Sequence, residues 1–169
     1  VLGKGIVHAK DTPNFIGNRI GVYGMMVTMN LAIDQSFTVE EVDKLTGPIS
    51  GRPKSATFRT SDVVGLDTMR HVSKTTYEKV LDDEERNMFK IPDILNQLVE
   101  SGRLGQKTKA GFYKKNENKS IYSVDFKTGE YSPMEKVRID CFRIAKDRQK
   151  LDDKLKALCY GDDRGSKYF

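Results

Sequence analysis

The stretch Lys10-Asp11-Thr12-Pro13-Asn14-Phe15-Ile16-Gly17-Asn18-Arg19-Ile20-Gly21-Val22-Tyr23-Gly24-Met25-Met26-Val27-Thr28-Met29-Asn30-Leu31-Ala32-Ile33-Asp34 decides the fold. Thr12 is a capping side chain. Pro13 suits a first helical turn, where its missing N–H costs nothing. A helix is therefore predicted from Asn14 to Asp34. Phe15, Ile16, Ile20, Val22, Tyr23, Met26, Val27, Leu31 and Ile33 spread around most of its circumference, and a helix apolar on most sides is buried on most sides. Gly17, Gly21 and Gly24 fall on one face. Each costs about 1 kcal/mol relative to alanine in a helix interior, so three together imply that something approaches closely there. A tight crossing inside the chain, a subunit contact and a neighbouring domain all satisfy that requirement.

Working outward, helix signals dominate. Thr38-Val39-Glu40-Glu41 reads as a capping box that opens a second helix, ended by Gly47-Pro48. Gly51-Arg52-Pro53-Lys54 is a loop. Further helices are expected over Phe58–Val64, closed by Gly65, over Asp67–Leu81, and from Pro92 to Ser101, stopped by Gly102. Residues 103–119 form a basic loop punctuated by glycine. Ile121–Val124 and Glu130–Ser132 flank Lys127-Thr128-Gly129 as a β-hairpin. One long helix is expected from Val137 to Tyr160, with Ile144, Leu151, Leu155 and Leu158 as its apolar stripe. Residues 161–169 read as an exposed loop, and Gly5–Lys10 as a short extended segment. The fold class is all-α with a small hairpin and a long C-terminal helix.

The chain has 169 residues, 37% of them hydrophobic and 31% charged, which is enough for one domain with a core plus an appendage. No run of about 18 apolar residues exists, so no membrane-spanning segment is expected. The start, Val1-Leu2-Gly3-Lys4-Gly5, has neither a signal peptide's pattern nor an initiator Met and reads as a fragment boundary. The net charge is +5. Residues 1–100 hold 12 basic and 14 acidic side chains, and residues 101–169 hold 17 basic and 10 acidic. The basic excess is either a solvated face or a surface that lies near phosphates. Cys141 and Cys159 sit in one expected helix, roughly 27 Å apart, too far for a disulfide. They read as reduced core thiols of a cytoplasmic protein. With His8 and His71 they have no metal-ligand spacing, so no metal site is expected.

No complete catalytic constellation is visible. Gly3-Lys4-Gly5-Ile6-Val7-His8 begins like a dinucleotide fingerprint, but it lacks the third glycine and runs into Pro13. Walker loops and nucleophile elbows are absent. His71 lies mid-helix and reads as a structural or surface residue. Asp62 and Asp67 either pair across a helix break or cap helices. The basic residues of the last helix alternate with acids and no helix-turn-helix signature stands out, so nucleic acid is not expected as a partner.

Three motifs carry a resemblance. Lys10-Asp-Thr-Pro-Asn-Phe-Ile-Gly-Asn-Arg-Ile20, Asp62-Val-Val-Gly-Leu-Asp-Thr68 and Gly105-Gln-Lys-Thr-Lys-Ala-Gly-Phe-Tyr113 occur in order. They resemble the C-terminal domain of 3-hydroxyacyl-CoA dehydrogenases, a helical domain like that of 6-phosphogluconate dehydrogenase. Residues 116–169 resemble the extension of larger bacterial multidomain fatty-acid oxidation enzymes. The division implied is residues 1–10 as the end of an NAD-binding domain or a connecting strand, residues 11–115 as the helical domain, and residues 116–169 as hairpin, long helix and the start of a second helical domain.

The resemblance also implies a function. A preceding domain would hold NAD and supply the catalytic histidine and its carboxylate. The helical domain would close over the acyl-CoA and make homodimer or pseudo-dimer contacts. By this resemblance Asn18 stands near the substrate oxygen in a supporting catalytic role, and Lys107 contacts NAD. Arg19 would be structural, pairing with Asp11 or Asp62. The implied reaction is oxidation of (S)-3-hydroxyacyl-CoA to 3-oxoacyl-CoA, with the isolated chain inactive. The chain departs from the family pattern at Asn14, where glycine is usual, and over residues 51–57, where short members carry Pro-x-Gly-Pro. Rival readings are the dimerisation domain of another hydroxy-acid dehydrogenase and a non-enzymatic interaction module.

Overall fold

A computed structural model describes residues 3–169. Helix α1 spans Gly17–Asp34, three residues later than the proline signal placed it. The delay has a local cause. Residues 13–16 are turns, and Asn14 and Phe15 both have positive φ, 64° and 49°. Asparagine tolerates this left-handed backbone better than most residues. Its side-chain amide also donates to Val72 O at 3.1 Å and Thr76 Oγ1 at 2.8 Å. Asparagine can thus stand where glycine is usual in the resembling family, and it adds two anchors.

The capping box forms as read. The Glu41 N–H donates to Thr38 Oγ1 at 3.3 Å, and the Thr38 N–H donates to Glu41 Oε2 at 2.9 Å. It opens α2, Val39–Leu45. A 3-10 turn at Pro48–Ser50 follows. Helix α3 is Phe58–Val64 and α4 is Leu66–Lys79, with Gly65 between them at φ 97°. Helix α5 is Asp93–Glu100. Asp43 of α2 closes the start of α3: its carboxylate accepts the N–H groups of Thr57, Phe58 and Arg59 and the hydroxyl of Tyr113. Helix α1 packs on α4. Met26, Met29, Phe58, Leu66, Met69, Leu95, Leu98 and Phe112 are fully buried between the helices.

The sheet has three strands where a hairpin was expected. β1 (Tyr113–Lys115), β2 (Ile121–Val124) and β3 (Tyr131–Pro133) form an antiparallel meander in the order β1-β2-β3. Ser123 of β2 faces Tyr113 on one side and Ser132 on the other. The extra strand comes from the loop over residues 103–119. Phe112 is drawn into the core against Phe58, with ring centroids 4.7 Å apart, and the residues after it are held extended beside β2.

The long C-terminal helix is two helices, α6 (Asp140–Lys146) and α7 (Leu151–Cys159). The break follows from polarity. Cys141 and Ala145 of α6 face the core, and the next positions on that face are Arg148 and Gln149. Continuing the helix would bury them. The chain turns instead, α7 folds back on α6, and Leu158 enters the core. The tail also differs from the exposed loop expected. Tyr168 is buried edge-on against Phe37, its hydroxyl donating to Thr28 O at 2.9 Å. The Arg164 guanidinium covers the other ring, 4.1 Å from the Phe37 centroid, and donates to Glu41.

Candidate functional site

The second and third motifs lock into each other. Asp62 is buried near the end of α3. Its two oxygens accept the N–H groups of Phe112 at 2.8 Å and Tyr113 at 2.9 Å. Gly105 and Gly111 allow this approach, since a Cβ on either would collide with Asp62. Burial of the carboxyl pushes its pKa up to about 6, against the opposing pull of those two N–H groups. Leu66 N–H donates to Leu104 O at 3.2 Å, fixing the same loop to the start of α4.

Lys107 lies on this loop, in a 3-10 turn at Gln106–Thr108. Its ammonium donates to both oxygens of Asp67, at 2.6 and 2.7 Å, in the first turn of α4. The lysine holds the Asp67 carboxyl below the usual range. Both side chains remain partly exposed, so the ammonium is positioned and still reachable. Asp62 and Asp67 therefore have separate partners, neither pairing with each other nor with Arg19. Arg19 is ion-paired with Asp83 in place of the expected Asp11 or Asp62.

Asn18 sits in the first turn of α1, exposed, and its side chain makes no hydrogen bond among the described residues. Its surroundings are unusual for a free surface. Phe15, Ile16 and Ile20 are 58%, 43% and 66% exposed. A Cβ on Gly17, Gly21 or Gly24 would meet nothing within 4 Å. Among the described residues, then, nothing makes the tight crossing that was one of three readings of that glycine face. A hollow of about 480 Å³ beside it is lined by Phe15, Ile20, Tyr23, Asp83, Glu85 and Phe89.

Asn18 and Lys107 are not brought together. Asn14, just ahead of α1, binds the middle of α4 at residues 72 and 76, while Lys107 is anchored at residue 67. Five to nine residues of helix separate these anchors, by about 8–14 Å. His8 and His71 are both exposed, and among the described residues no group of histidine, cysteine, aspartate and glutamate could hold a metal. Cys141 is buried, its thiol pushed up to about 11 by desolvation, and so a poor nucleophile; Cys159 is exposed, against the core position expected. No helix among the described residues is long and apolar enough to cross a membrane. Asp43 is a partly buried organising carboxylate that sequence reasoning did not single out. Its sequence neighbours carry no signal of it, because its partners lie 14 and more residues away.

Residues 15–115 match the sequence profile of the 3-hydroxyacyl-CoA dehydrogenase C-terminal domain. The chain belongs to this family. A probable 3-hydroxyacyl-CoA dehydrogenase of Bacillus subtilis is 50% identical over 167 residues, 99% of this chain and 21% of that protein. A putative fatty acid oxidation complex trifunctional enzyme of Rickettsia prowazekii is 27% identical over 82% of the chain and 20% of its own length. The crystal structure of M. tuberculosis FadB2 matches with a TM-score of 0.60 and 31% identity, covering 69% of this chain and 39% of that one. This 3-hydroxyacyl-CoA dehydrogenase C-terminal domain thus spans between a fifth and two fifths of these relatives. The Bacillus match runs almost end to end, so it includes β2, β3, α6 and α7, which lie beyond the family profile.

Proposed function

We propose that the chain serves an NAD-dependent dehydrogenase that oxidises (S)-3-hydroxyacyl-CoA to 3-oxoacyl-CoA in cytoplasmic fatty acid β-oxidation. Its part is to close the cleft over the acyl-CoA. The observation that carries this reading is the first turn of α1, where Asn18 stands among exposed Phe15, Ile16 and Ile20 on a face open along its glycines. Such a face fits a preceding NAD-binding domain, and it would also admit dimer or pseudo-dimer contacts. Residues 1–10 are then the connection, 11–115 the closing domain and 116–169 the approach to a second helical domain.

NAD supplies the hydride acceptor and is held mainly by the preceding domain. The residues present here fit a contact with it and no more: Lys107 offers one positioned, half-exposed ammonium, suited to a phosphate-bearing ligand. Asn18 orients the substrate oxygen. An amide can donate or accept there without taking the proton. The test is NADH formation from a 3-hydroxyacyl-CoA by this chain and by the longer protein that carries it. Activity in the longer protein alone, reduced at least about tenfold by Asn18→Ala, is the expected result. Turnover by the 169-residue chain itself would end the reading.

A further inference from the structure

A second concave surface lies away from Asn18, between α2, the loop around residue 54, β1 and α6–α7. It encloses about 880 Å³, within the range of small-ligand sites. Six basic side chains line it: Lys44, Lys54, Arg59, Lys136, Lys146 and Lys154. Three acids share the surface, Glu40, Asp43 and Glu135. Asp43 is already committed, accepting three backbone N–H groups and the Tyr113 hydroxyl, while Glu40 accepts the Glu135 N–H through Oε1 and keeps a buried Oε2 without a partner among the described residues.

The six cations form no ion pair among the described residues. Like charges crowded into a concavity repel one another, and the repulsion is relieved by a bound anion. The walls are not purely ionic. The Arg59 guanidinium lies 4.1 Å from the Tyr113 ring centroid, and Lys44 Nζ lies 5.1 Å from that of Phe142. Ile49, Met134 and Val137 supply apolar surface beside them. Cations beside flat and apolar walls match a ligand that joins several phosphates to a ring.

We propose that this groove binds a nucleotide carrying at least two phosphates, the phosphates among Lys54, Lys136, Lys146 and Lys154 and the base against the Phe142 wall. The site is separate from the contacts proposed for Asn18 and Lys107, and it needs no turnover to be detected. The test is calorimetric titration of the chain at low salt with ADP, inorganic pyrophosphate and adenosine. One ADP per chain is expected, at least about threefold tighter than pyrophosphate, with adenosine undetectable and affinity falling as salt is raised. Lys54→Glu/Lys136→Glu replaces two exposed loop lysines and should weaken ADP at least about tenfold. Lys79→Glu/Lys127→Glu, the same charge change outside the groove, should weaken it less than about twofold. Equal loss in both variants, equal affinity for ADP and pyrophosphate, absence of saturation, or tighter length-dependent binding of single-stranded oligonucleotide would each overturn the proposal.

Discussion

Asp62 shows how one side chain can hold two distant motifs. Its carboxyl is 5% exposed and satisfies two N–H groups of a loop 50 residues away. Removing both acceptors in Asp62→Ala leaves those N–H groups buried and unpaired, at about 2–4 kcal/mol. That loss should be read by urea unfolding near pH 4.5. Its pH dependence has a definite sign. Burial raises the folded-state pKa to about 6 from the ordinary 3.8, so the folded chain binds the proton more tightly than the unfolded one. The contribution is full below the unfolded value and declines as pH rises through about 6. The gap between wild type and Asp62→Ala should therefore narrow from pH 4.5 to 7; a gap that widens would contradict this account. Only part of the residue scale was legible beforehand. The motifs marked Asp62, Gly105 and Gly111 as special, but capping and pairing both remained open because the partner N–H groups lie far along the chain. Arg19 reads as structural from sequence, yet Asp83, which it pairs with, stands in no motif.

Apart from the delayed start of α1, elements with local signals formed where the sequence placed them. The Thr38–Glu41 capping box, the Gly65 stop and the start of α5 after Pro92 depend on neighbours within a few residues. Errors fell where tertiary packing outweighs periodicity. Residues 137–160 keep helical spacing, but the face that carries Cys141 and Ala145 meets Arg148 and Gln149, and the chain breaks there into two short helices. β1 was read as loop because Lys114 and Lys115 carry no apolar alternation; it is extended because Phe112 and Tyr113 are fixed from outside the strand. The tail was read as exposed from its charges, though Tyr168 closes the helical core beside Phe37. That placement makes an energetic statement. Tyr168→Phe loses one hydrogen bond to Thr28 O, at about 1 kcal/mol. Tyr168→Ala also opens a cavity and should cost about 3–4 kcal/mol. Chemical denaturation distinguishes them; a Tyr168→Ala chain as stable as wild type would mean the tail is not docked.

At the scale of the molecule, α1 is built for two environments. In its far half Met26, Met29 and Ala32 are fully buried in this chain, while its first turns expose aliphatic side chains and a glycine face. Glycine in a helix is a cost without return unless a neighbour uses the space. Nothing in the described residues uses it, and the function proposed above gives that space to a surface that docks onto α1. Gly21→Leu separates the two environments. In the 169-residue chain a Cβ at Gly21 meets nothing within 4 Å, and leucine is the better helix former. The variant should therefore be as stable as wild type or gain up to about 0.8 kcal/mol. In the longer protein the same side chain would stand where the proposed NAD-binding domain approaches. Dehydrogenase activity should fall there, and proteolysis between the domains should accelerate. A variant that destabilises the isolated chain would place the contact inside it. One that leaves both the chain and the longer enzyme unaffected would remove α1 from the domain interface and return the glycines to being unexplained.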